Sequence, residues 1–155
     1  ELIHDFKFNG KSYLYKPFAE IMIKTIIEKG LNQVDMIMFI PIHRRKEAIR
    51  GYNQSELLAS HISKILGNEI SKGNLFKVKW TAEQNTLDRL ERLKNLRDTF
   101  VLRTPYEILG KRILLIDDII TTGSTFEECA KILIRNGAKE INCLALTSGK
   151  AYNHK

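Results

Sequence analysis

A chain of 155 residues can bury one sizeable core but not two independent ones, so residues 1–155 are expected to form a single domain. Its apolar share of 43% is ordinary. No apolar run is long enough for a membrane span and the N-terminus lacks a signal-peptide pattern, so no membrane insertion is expected. A net charge of +7 favours polyanionic partners without separating nucleotides from nucleic acids.

In chain order, Phe18, Ile21, Met22, Thr25 and Ile26 recur at helical spacing between Pro17 and Lys29, and Gly30 stops that helix. Met36 to Ile42 is an apolar run of strand length, left at Pro41. A loop is expected from His43 to Tyr52. Asn53 caps the next helix, with Leu57, Leu58, Ile62, Ile65 and Leu66 on one face and Gly67-Asn68 closing it. Leu75 to Trp80 alternates apolar and basic residues, as a half-exposed strand does. Thr81 to Phe100 is polar, charged and partly helical in character, and Gly110 then turns the chain into another apolar run. A helix follows from Thr125 to Asn136, with Phe126, Cys129, Ala130, Leu133 and Ile134 toward the sheet. Glu140 to Thr147 reads as a buried strand, and the tail after Gly149 as frayed. Strands alternating with helices predict an α/β domain with a parallel sheet.

Cys129 and Cys143 form no CxxC pattern, which fits a reducing, cytoplasmic setting rather than a disulfide scaffold. Both fall in apolar stretches and are expected as small core residues. They supply no structural zinc site. The basic excess concentrates between Arg44 and Arg103, in Arg44-Arg45-Lys46, Arg50, Lys77, Lys79, Arg89, Arg92, Lys94 and Arg97. A solvated basic face and a surface for phosphates are both open readings of it.

The segment from Ile113 to Thr125, ILLIDDIITTGST, carries the chemistry. Its aliphatic start reads as a strand covered on both faces. Asp117 and Asp118 fall at that strand's carboxyl end, where open α/β sheets place ligands. Thr121, Thr122, Gly123, Ser124 and Thr125 then offer hydroxyls and backbone N–H groups at a helix start, a cradle for phosphate. Carboxylates suit sugar hydroxyls, so the expected ligand carries a ribose and a phosphate close together. The plainer alternative is an Asp pair that only caps a helix. There is no GxxxxGK[ST] loop and no GxGxxG after a strand, which sets aside the P-loop and the Rossmann fingerprint.

At every position this segment resembles the phosphoribosyl pyrophosphate (PRPP) signature of type I phosphoribosyltransferases. Three further blocks are similar to the ComF family of bacterial competence proteins. They are ELIHDFKFNGK with Lys7, Phe8 and Gly10; PIHRRKEAIRGYNQSELLA with Pro41, His43, Arg44, Arg50, Gly51, Asn53, Gln54 and Leu57; and TAEQNTLDRLERLKNLRDTF with Thr81, Gln84, Leu87, Arg92, Asn95 and Phe100. The likeness covers nearly the whole chain. It departs at Lys79-Trp80, where the family usually carries an Arg, and a Lys lacks that residue's planar two-pronged geometry. The family's cysteine-rich zinc-binding segment has no counterpart in this sequence; either it belongs to a preceding segment, the one place where zinc is expected, or this member lacks it.

The resemblance implies a parallel-sheet type I phosphoribosyltransferase-like fold with helices on both faces and a flexible hood over Thr81 to Phe100. It implies that Asp117 and Asp118 bind the ribose hydroxyls and that Thr121, Thr122, Gly123, Ser124 and Thr125 wrap the 5′-phosphate. Mg²⁺ would ride on the pyrophosphate and ribose oxygens near Asp117 and Asp118, with no direct protein cage. His43, Arg44 and Arg45 would form the pyrophosphate loop. Arg50, Tyr52, Lys79, Trp80, Gln84, Arg89, Arg92 and Asn95, with Arg97, are candidates for the hood or for DNA. Trp80 with Tyr52 would stack a base, although core packing explains Trp80 equally well. His43 also has a plain structural reading as a hydrogen-bonder.

The implied function is a PRPP-binding protein that handles incoming single-stranded DNA in natural transformation, alongside other competence proteins. The alternative is an active transferase joining a nitrogenous base to the ribose in nucleotide salvage, by positioning and electrostatic stabilisation. No residue marks an acceptor pocket or a catalytic group.

Overall fold

The computed structural model describes residues 2–80 and 98–149. Helix α1 (Leu2–Phe8), which no sequence pattern signals, leads to helix α2 (Tyr15–Glu28). Ala19, Met22, Ile23 and Ile26 of α2 repeat at three- and four-residue steps and are buried. Strand β1 (Met36–Phe39) is buried throughout and ends before Pro41. The expected loop from His43 to Tyr52 is instead mostly helix α3 (Arg44–Arg50). His43 accepts a hydrogen bond from the Arg45 N–H at its start, and Gly51 closes it in the left-handed region at φ 84°. Its Ala48 and Ile49 are exposed, so there is no apolar stripe by which periodicity could reveal it.

Helix α4 (Gln54–Leu66) begins where Asn53 accepts from the Ser55 N–H and ends at left-handed Gly67. Leu58 and Ile62 are buried, whereas Ile65, expected on the same face, is 52% exposed. Strand β2 (Leu75–Lys77) is shorter than the alternating run around it, and it pairs antiparallel with β3 (Phe100–Leu102). The segment from Thr81 expected to form a hood falls between these two strands in the chain, and residues 81–97 lie outside the described residues. Strand β4 (Arg112–Ile120) leads through a turn into helix α5 (Ser124–Arg135), and β5 (Glu140–Ser148) follows.

The main sheet has the order β1-β4-β5 and is parallel throughout. Its central strand explains its own sequence. Leu114 and Ile116 pack into a cluster with α1, α2 and α4, while Ile113 and Leu115 pack into a second cluster with β2, β3 and α5. Successive strand residues point to opposite faces, so a strand covered on both sides must be apolar without interruption. The expected fold class, a parallel sheet with helices on both faces, is the one observed.

Two further residues expected in the core, Cys143 and Ile134, are not there. Strand β5 is an edge strand among the described residues and is only half-buried. Its Cys143 is accordingly exposed, unlike Cys129, which is fully buried on α5. Ile134 of α5 is 48% exposed, because only Phe126, Cys129 and Leu133 of that helix reach the core with Ser124.

Candidate functional site

The apolar part of β4 ends at Ile116, and Asp117 and Asp118 follow while still buried, at 9% and 7% exposure. A carboxylate there must be satisfied from within the protein. The Ser55 hydroxyl, from the first turn of α4, donates to Asp117 Oδ1 at 2.8 Å, and the Asp118 N–H donates to the same oxygen at 2.8 Å. These bonds favour the ionised form, but burial first and the Asp118 charge second outweigh them. The Asp117 pKa stands well above the ordinary carboxylate value.

Beyond the acids, Gly123 takes φ 80°, a conformation that costs a residue with a Cβ about 1–2 kcal/mol. The turn delivers the chain into α5 with its first-turn N–H groups facing outward, without intrahelical partners. The Thr122 and Ser124 hydroxyls bond each other at 2.7 Å, and the Ser124 N–H approaches Thr122 Oγ1 at 3.4 Å. Asp117, Thr121, Gly123, Ser124 and Thr125 line a hollow of about 30 Å³, together with Ile119, Ile120 and Phe126. Asp118 and Thr122 are not part of that lining. The hollow suits one anionic group, since a whole drug-sized ligand needs roughly 300 Å³ or more.

A larger cleft of about 410 Å³ opens between α3, the start of α4 and β2. His43, Arg44, Lys77 and Arg103 bring positive or titratable groups to it, Glu47 and Glu56 bring carboxylates, and Phe39, Leu75 and Phe76 form apolar wall. The backbone beside His43 bridges to Lys77 of β2. Burial, then the charge of Lys46, lowers the Lys77 pKa. The cleft and the acid pair meet at the start of α4. Asn53 lines the cleft, and Ser55, two residues on, holds Asp117. Asn53 also donates to the Ile40 carbonyl at 3.1 Å, which pins this helix start to the end of β1.

The other expected residues are dispersed. Arg45 is exposed and does not line the cleft. Arg50 reaches Gln54 at 3.4 Å. Tyr52 is not paired with Trp80: its hydroxyl donates to the Phe6 carbonyl at 2.7 Å, and its ring lies 6.2 Å from that of Phe6. Trp80 is not a core residue either. It is 49% exposed and stands edge-on to His43 at 5.4 Å. Lys79 is exposed beside it. Gln84, Arg89, Arg92, Asn95 and Arg97 lie outside the described residues. Sequence reasoning passed over Ser55, whose only signal is its place two residues after a helix cap. It also left Arg103 and Phe76 unremarked as site residues, because the antiparallel pairing that brings β3 beside β2 joins positions far apart in the chain.

The phosphoribosyl transferase domain family matches residues 53–154. The chain belongs to that family. It is 33% identical over 152 residues to the DNA utilization protein YhgH of Salmonella typhimurium and 31% identical over 150 residues to competence protein F of Haemophilus influenzae. Each alignment covers 94% of this chain and 66% of the relative, so the chain spans about two thirds of those relatives' length. With the competence protein ComFC of Bacillus subtilis it shares 26% over 137 residues, covering 88% of this chain and 54% of that one. These likenesses place the phosphoribosyl transferase domain within the ComF group.

Solved structures agree on the fold. A purine phosphoribosyltransferase from Pyrococcus horikoshii aligns at TM-score 0.56 and 15% identity, covering 94% of this chain and 80% of that one. An adenine phosphoribosyltransferase from Thermoanaerobacter pseudethanolicus aligns at 0.57 and 18%, covering 89% and 70%. Identity that low speaks for the fold alone. Among the described residues, no helix is long and apolar enough to cross a membrane.

Proposed function

We propose that this ComF-family domain binds PRPP at the carboxyl end of β4 and serves in the handling of single-stranded DNA during natural transformation. One observation carries the ligand reading: the buried acid pair and the hydroxyl-lined hollow are consecutive on one strand–turn–helix unit. In this reading Asp117 and Asp118 accept from ribose hydroxyls, and the turn from Thr121 to Thr125 holds the 5′-phosphate on N–H and hydroxyl donors. His43, Arg44 and Arg45 serve the pyrophosphate, with His43 and Arg44 nearer the role than Arg45 because they line the adjoining cleft. The two carboxylates are hard oxygen donors of the kind Mg²⁺ takes, and the ion would draw charge from the pyrophosphate while most of its ligands come from PRPP. Free thiols at both cysteines support a reducing, cytoplasmic setting.

DNA handling is supported by the names of the relatives, which are competence and DNA utilization proteins, and by the +7 charge. Its test is the affinity for a single-stranded oligonucleotide measured against salt, with and without Mg²⁺ and PRPP. Binding that weakens steeply with salt is expected, because each phosphate contact releases counterions. A shallow slope with affinity weaker than micromolar would remove DNA handling from this domain. In parallel, pyrophosphate release is expected to stay at background with every purine and pyrimidine base offered. Release with any one base would make the domain a transferase instead.

A further inference from the structure

One buried contact that the proposed function leaves unexplained is the hydrogen bond between helix α4 and strand β4. Ser55 is 3% exposed, lies 62 residues from Asp117 in sequence, and donates to its Oδ1 at 2.8 Å. The Asp118 N–H lands on that same oxygen, so two donors from different directions fix the rotation of one carboxylate. Ser55 itself has little freedom. Its N–H donates to Asn53 Oδ1 at 3.0 Å, the Leu57 N–H donates to the Asn53 carbonyl, and the Asn53 amide donates to the Ile40 carbonyl. The hydroxyl is therefore tied rigidly to the end of β1, one strand over from the acid it holds.

We propose that Ser55 is a positioning residue which presets the Asp117 carboxylate for the ribose hydroxyls, and that α4 thereby registers the acid pair against the cleft beside it. The proposal rests on the reading that Asp117 meets a ribose. Ser55 touches no ligand in this scheme. It acts through the orientation of Asp117, and a fixed acceptor discriminates between sugars where a rotating one does not. Asp117 also lines the phosphate hollow, but a carboxylate offers an anion no donor; the grip there comes from the hydroxyls and N–H groups of the turn and the start of α5, which Ser55 does not touch.

The test compares ribose 5-phosphate, 2-deoxyribose 5-phosphate and inorganic phosphate, each with Mg²⁺, on the wild-type chain, S55A and S55T. The wild type is expected to prefer ribose 5-phosphate over its deoxy analogue. S55A should lose about tenfold of that preference, the scale of a hydrogen bond to a charged group, with inorganic phosphate affinity unchanged. S55T, which keeps the hydroxyl, should recover most of it. A preference ratio is insensitive to how much of a variant is folded, and thermal unfolding of each variant checks the remainder. An S55A protein with the full preference, or one that loses ribose 5-phosphate and inorganic phosphate equally, would overturn the positioning role. A wild type without any preference for ribose would instead overturn the ribose reading on which it rests.

Discussion

Asp117 is held where its charge is costly, between a hydroxyl donor and a second carboxylate. Its raised pKa means that the folded state takes up a proton more readily than the unfolded chain. Below the unfolded value near 3.8 both states are protonated and the residue is neutral toward folding. As pH rises from there toward the folded value, the unfolded chain gives up its proton while the buried carboxyl keeps it, so the folded state loses stability until the pH has passed the folded value. Replacing Asp117 with Asn should therefore raise the urea midpoint at neutral pH, by about 1 kcal/mol of stability, with the gain fading toward pH 4. The same variant should lose PRPP binding. An Asn variant less stable than the wild type at neutral pH would mean the carboxylate serves the fold. At this scale the acids and the hydroxyl turn were visible as residue types in order, whereas the donor that orients Asp117 was not. A contact across 62 residues leaves no local pattern to read.

At the scale of elements, what could be read in advance depended on how many faces an element buries. The run from Ile113 to Ile116 divides between two buried clusters, and such a run has few other readings. Helix α3 buries none of its residues and so has no apolar periodicity to tell it from loop; its caps at His43 and Gly51 are the available signal. Strand β5 has the composition of a core strand yet stands at an edge, which only sheet order reveals. The junction at the base of the sheet is similarly non-local. Asp35, just before β1, pairs with Arg112 at the start of β4, accepting from its N–H at 2.8 Å and from its guanidinium at 3.2 Å. That guanidinium first, and the N–H second, hold the Asp35 pKa down to about 2. Its contribution is present above the unfolded value and is lost as pH falls through the folded one. The D35N variant should show a flatter fall in stability between pH 4 and pH 2 than the wild type, by a modest margin because both side chains are about 40% exposed. Identical acid profiles would show that the pair does not bear on folding.

Across the whole molecule, alternating strands and helices were enough for the fold class, and the thirteen residues from Ile113 to Thr125 were enough for the family resemblance. Neither told how the basic chain arranges its charge. The cations of the cleft come from α3, β2 and the residue following β3, three places that only the folded chain brings together, and they face two carboxylates. The molecule thus offers a small anion hollow at the end of β4 and a larger mixed cleft beside it, joined through the start of α4. The most direct measurement of this account is amide hydrogen exchange of the full chain with and without saturating Mg²⁺ and PRPP. Slowed exchange is predicted in peptides covering Ile119 to Phe126 and in those covering His43 to Ser55, with the distant α2 unchanged. Saturable binding that leaves the Ile119 to Phe126 peptides exchanging as before would contradict it.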